Sequence, residues 1–117
     1  ALKHGIVLRE TERGLDALRV GVGTNAKWLL ARRGQAIAGA LAWEVSSAGP
    51  VAEIQLLLSE NAEIGCALLG DCVRDLVASG SHVAYCWLPE NSRPARESLQ
   101  QVGFDHFHAA IWLSRTL

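Results

Sequence analysis

The stretch Val83–Phe104, VAYCWLPENSRPARESLQQVGF, constrains the fold more than any other part of the chain. An apolar, β-branched and aromatic run (Val83–Leu88) meets a turn at Pro89, Glu90 and Asn91. A helix follows over Ala95–Val102 and stops at Gly103, before a further aromatic run. Where a strand ends and a helix begins after a turn, unpaired backbone N–H groups collect, and a ligand can sit against them.

The rest of the chain supplies partners for this unit. Gly5–Arg9 reads as a short strand and Thr11–Leu18 as a short helix. Lys27–Arg32, a tight Arg33-Gly34-Gln35 connection and Ala36–Val45 predict an antiparallel hairpin, and Val51–Leu58 predicts a third strand. From Glu63 the period changes. Ile64, Leu68, Cys72 and Leu76 recur every fourth residue, which predicts a buried helix ended by Ser79-Gly80. Phe104–Leu113 reads as one closing strand. Hairpin strands followed by strand–helix–strand predict an α/β chain with helices packed on a mixed sheet, and a right-handed parallel crossover from Val51 to Leu88.

Composition narrows the function. The chain has 117 residues, enough for one domain with a real core, and half of them are apolar. Net charge is -1 and no basic run exceeds Arg32–Arg33, so no nucleic-acid partner is expected. No apolar stretch approaches a membrane span, so a cytoplasmic protein without a membrane partner is expected. Cys66, Cys72 and Cys86 fall in apolar helix and strand patterns and read as reduced, buried thiols. A chain that starts at Ala1 and holds no Met is expected to be a fragment or domain of something longer.

From about Ala26 onward, the order and wording resemble the GNAT superfamily of acyl-CoA-dependent N-acyltransferases. The matching pieces are WLLARRGQAIAGALAW, with Gly39 on its second strand, then EIQLLL leading into IGCALLGDCVRDLVASG, and PARESLQQVGF. Gly5–Leu18 is compatible with the family's opening strand and first helix. The resemblance implies one domain over residues 1–117, with a central, mostly antiparallel mixed sheet whose parallel pair splays apart, and helices on both faces. It implies acetyl-CoA as cofactor and a small-molecule or peptide amine as acceptor. The pantetheine arm would lie along Leu56, Leu57 and Leu58, and the pyrophosphate on the helix start at Ile64, Gly65 and Cys66. Asn91 and Ala95 would border the arm, Arg93 and Arg96 the adenine end, and Glu53 would act as general base.

The departures from the family's pattern also carry chemistry. Its phosphate loop has two glycines, whereas Glu60, Asn61, Ala62, Glu63, Ile64 and Gly65 keep only the last. Two carboxylates repel a pyrophosphate, by about 1 kcal/mol per unit-charge pair at 4 Å even in water. Cofactor binding is therefore expected to be weak or absent. Leu99 stands where the family often has a proton-donating Tyr. Tyr85, the chain's one Tyr, reads as a core or sheet-face residue. His106 and His108 suit a surface or interface pair better than a metal site, so no metal is expected. Trp112 is the expected anchor if two copies form a homodimer. Two functions remain open: an N-acetyltransferase, or a catalytically inactive module of the same fold used for dimerisation, docking or regulation.

Overall fold

The computed structural model describes residues 6–10, 25–46, 50–88, 92–108, 111–114 and 117. These form strands β1 (Ile6–Glu10), β2 (Lys27–Arg33), β3 (Ala36–Val45) and β4 (Val51–Ser59), helix α1 (Ala62–Ala78), strand β5 (Val83–Trp87), helix α2 (Arg93–Gln101), and strands β6 (Phe104–His108) and β7 (Ile111–Ser114). The strands make one sheet in the order β1-β2-β3-β4-β5-β7-β6. All neighbours run antiparallel except β4 and β5, so the expected parallel crossover through α1 is present.

Both described helices lie on one face. Ile64, Leu68, Leu69, Cys72 and Leu76 of α1 join Ala95 and Leu99 of α2 in a core with Leu41, Trp43, Ile54, Leu57, Cys86 and Trp112 of the sheet. The opposite face carries a smaller buried cluster of Trp28, Leu30, Ala40 and Ala42. The helix expected over Thr11–Leu18 lies outside the described residues.

Two boundaries differ from the sequence reading. α2 begins at Arg93 rather than Ala95, because Pro94 fits the first helical turn, where its missing N–H is not needed. The single closing strand is instead two strands, β6 and β7, paired antiparallel. As a result β7 lies between β5 and β6, and Trp112 is 3% exposed. It packs in the core, with the His106 ring stacked at 5.0 Å, and is not the exposed interface anchor that an outer strand would have offered. Gly103 turns the chain from α2 into β6 at φ 99, a conformation that a Cβ would strain.

Candidate active site

The parallel pair is closed at one end and open at the other. Val51–Ile54 of β4 pair in register with Val83–Cys86 of β5, and there the pairing stops. β4 continues to Ser59 and pairs with β3 through Leu56↔Ala42, Leu57↔Leu41, Leu58↔Ala40 and Ser59↔Gly39. Among the described residues its other edge, from Leu56 to Ser59, has no β5 partner, a place where an extended ligand can pair with the backbone.

A bulge marks the point of parting. On β3 the register jumps from Ala42↔Leu56 to Trp43↔Ile54, which leaves Gln55 as the extra residue. The bulge breaks the strict alternation, so Ala52, Ile54 and Leu57 face the core while Gln55 and Leu56 are both half-buried. Of the three leucines expected along the arm, Leu57 is a core residue. Leu56 packs on the second apolar cluster, and Leu58 is 41% exposed.

Glu53 sits one residue below the last parallel pair, opposite Tyr85. Its Oε1 accepts from Gln55 Nε2 at 2.9 Å and its Oε2 from Trp87 Nε1 at 2.8 Å. The Tyr85 hydroxyl also donates to it. Burial, then the Glu53 charge and this hydrogen bond, push the Tyr85 hydroxyl pKa above its ordinary value. Gln55 Nε2 also donates to Glu44 Oε2 at 2.8 Å, and Glu44 faces Glu53 across the β3–β4 pair. The Tyr85 and Trp87 rings meet edge to face at 6.5 Å. A carboxylate held by three donors keeps one orientation and still has lone pairs to offer. Beside the cluster lies a cleft of about 760 Å³, bordered by Glu44, Glu53, Tyr85, Trp43, Lys27 and Ser79.

The start of α1 is less open than its sequence suggests. Asn61 caps the helix, and its Oδ1 accepts from the Ile64 N–H at 2.9 Å. The Gly65 N–H donates to the Asn61 carbonyl at 3.2 Å, and Cys66 lies one residue further into the helix. The first-turn amides left for an anion belong to Ala62 and Glu63. Gly65 serves close packing: a Cβ there would lie 2.3 Å from Ser98 Oγ and 2.7 Å from Ser98 Cβ. Ile64 is 1% exposed, and the half-buried Cys66 directs its thiol at Gln101 Oε1, 3.3 Å away.

Charge at this helix start is partly offset. Arg33 pairs with Glu60 at 2.8 Å, while Glu63 lies exposed in the first turn of α1. On α2, Ala95 is 2% exposed, Leu99 is fully buried, and Arg93 pairs with Glu97 at 3.1 Å. Asn91 lies outside the described residues.

The structure thus separates the expected residues into groups. Leu56, Leu57 and Leu58 run along the open half of β4, Ile64, Gly65 and Cys66 follow the cap of α1, and Ala95 is buried on the core side of α2. Glu53 stands at the closed end with Tyr85, Trp87, Gln55 and Glu44, four residues that the sequence reading did not assign to a site. Their signal was the alternation of Glu53, Tyr85 and Trp87 with the core residues Ile54 and Cys86. Among the described residues no cluster of three or more potential metal ligands occurs, and no helix is long and apolar enough to cross a membrane.

No family model and no curated protein matches the chain. Solved structures do. An acetyltransferase from Bacillus subtilis in complex with CoA is 12% identical, with a TM-score of 0.69 over 96% of this chain and 99% of that one. A GNAT family acetyltransferase from Elizabethkingia anophelis with acetyl-CoA bound is 14% identical, with a TM-score of 0.69 over the same shares, 96% and 99%. The IAA acetyltransferase from Bacillus cereus is 16% identical, with a TM-score of 0.68 over 88% of this chain and 79% of that one. The chain therefore has the fold of the GNAT acetyltransferases.

Proposed function

We propose that this chain is a single acyltransferase domain that moves an acetyl group from acetyl-CoA to an amine. The observation that carries the reading is the parting of β4 from β5 after Ile54 and Cys86, with Glu53 fixed at the closed end. Support comes from fold neighbours bound to CoA and acetyl-CoA.

Bound acetyl-CoA supplies a thioester carbonyl carbon as acyl donor. The edge of β4 from Leu56 to Ser59 would hold the cofactor's arm by backbone hydrogen bonds. The amides of Ala62 and Glu63 would hold its phosphates, with the Glu63 carboxylate opposing them, so that affinity would be weak. Glu53 takes the proton that the acceptor amine must lose to become nucleophilic. Gln55, Trp87 and Tyr85 hold its carboxylate in one orientation while it does so. Transfer would form the C–N bond and break the C–S bond, the amine proton going to Glu53 and a proton from solvent water going to the leaving thiolate. Leu99 cannot supply it, because it has no acidic proton and is buried in the core. The three free thiols suit a reducing compartment such as the cytoplasm.

A second reading, a catalytically inactive module of the same fold, is favoured by one observation: the Ile64 and Gly65 amides are already bonded and Ser98 fills the space at Gly65. Incubation with acetyl-CoA and a panel of primary amines, read by mass spectrometry for N-acetylated product, separates the two. Acetylated product that depends on folded protein supports the transferase. Its absence across the panel, with the cofactor shown to bind or not, supports the module.

A further inference from the structure

Past the parting of β4 and β5, the two halves of an acyl-CoA meet different surroundings. The half that carries the acyl group, pantetheine, is uncharged and holds two amide groups. No residue from Leu56 to Ser59 is charged, and this edge of β4 has no β5 partner among the described residues. Such an edge can pair with amides as it would with another strand. The other half carries a diphosphate, which needs free N–H groups and positive charge. The start of α1 offers little of either. The Glu60 amide donates to the Ala38 carbonyl at 2.9 Å, the Ile64 amide to Asn61 Oδ1 at 2.9 Å, and the Gly65 amide to the Asn61 carbonyl at 3.2 Å.

Packing keeps these bonds in place. A Cβ at Gly39 of β3 would lie 2.9 Å from Ile64 Cγ2, and a Cβ at Gly65 would meet Ser98 of α2. The first turn of α1 is therefore wedged between sheet and helix and cannot shift to free its amides. Charge points the same way. Glu63 stands exposed in that turn, and among the described residues no Lys, Arg or His forms an ion pair with it. Arg33 is held by Glu60 at 2.8 Å and Arg93 by Glu97 at 3.1 Å. A diphosphate thus fits this helix start poorly, whereas a pantetheine arm suits the strand edge. Resting on the acyltransfer reading, we infer that the chain binds a pantetheine thioester without the diphosphate in preference to acyl-CoA.

The test titrates acetyl-pantetheine and acetyl-CoA separately into the folded protein by calorimetry at low salt. Acetyl-pantetheine should bind about fivefold more tightly, the size of one unit-charge repulsion near 4 Å in water. Added salt should narrow the gap, because an exposed charge is screened. Glu63→Gln, checked for fold by circular dichroism, should close it by tightening acetyl-CoA alone. Acetyl-CoA binding as tightly as acetyl-pantetheine, or more so, overturns the inference and leaves the acyltransfer reading standing. A gap that Glu63→Gln leaves untouched also overturns it. Preferred binding of acetyl-pantetheine with no acetylated amine across the panel keeps the inference and removes acyl transfer. No saturable heat from either thioester removes both.

Discussion

Glu53 is where side-chain chemistry concentrates, because three donors from β4 and β5 converge on one carboxylate at the end of the paired segment. As a general base it should be worth about a hundredfold or more in turnover. Glu53→Gln should therefore lower the acetylation rate by at least that factor while circular dichroism stays unchanged. A wild-type rate from this variant removes Glu53 from the mechanism. Glu53 was legible as a candidate only through the resemblance to the acyltransferases, because its alternation with Ile54 by itself describes a solvent-facing strand carboxylate. Its partners were not. Tyr85 and Trp87 reach it only through the parallel register of two strands more than thirty positions apart, and no local pattern fixes that register. Gln55 reaches both Glu53 and Glu44 from a bulge, a feature that alternation cannot announce.

The elements differ in how clearly their sequences declare them. α1 was legible because a four-residue apolar repeat runs from Ile64 to Leu76 and Ser79-Gly80 ends it. The division between β6 and β7 was not, because the intervening Ala109 and Ala110 carry none of the Gly, Pro, Asn or Asp signals that mark a turn. Gly65 was legible as a special position, yet the space it leaves is already taken by Ser98 of α2. Adding a methyl there should push the two helices apart. Gly65→Ala should destabilise the protein by about 1–3 kcal/mol in chemical denaturation. Combination with Ser98→Gly should recover most of the loss, because both crowding atoms of Ser98 are then gone. A stable single variant, or a double variant no better than the single, would mean that the helices do not meet at this point.

The whole molecule rests on a core that spans both helices and the middle of the sheet, and two of its thiols tie stability to pH. Burial pushes Cys86 from the ordinary 9.0 up to about 12, and Cys72, buried near Asp75 and Cys86, is raised as well. The folded state holds these protons more tightly than the unfolded chain does. Their contribution is therefore complete below pH 9.0 and is lost as the pH climbs toward about 12. Urea midpoints should fall across that window, and Cys86→Ala should flatten the fall even as it lowers the midpoint at neutral pH. A flat profile in the wild type would contradict the buried placement of both thiols. Fold class and the parallel crossover were legible from element order alone. How open the cofactor side is depends on the cap at Asn61 and the Arg33–Glu60 pair, which only the assembled chain brings into view. Calorimetric titration of acetyl-CoA into the folded protein at low salt decides whether the open half of β4 receives the cofactor, as proposed. Saturable one-to-one binding is expected, weak but tighter than about 1 mM. No heat at millimolar acetyl-CoA, from protein shown to be folded, would contradict it.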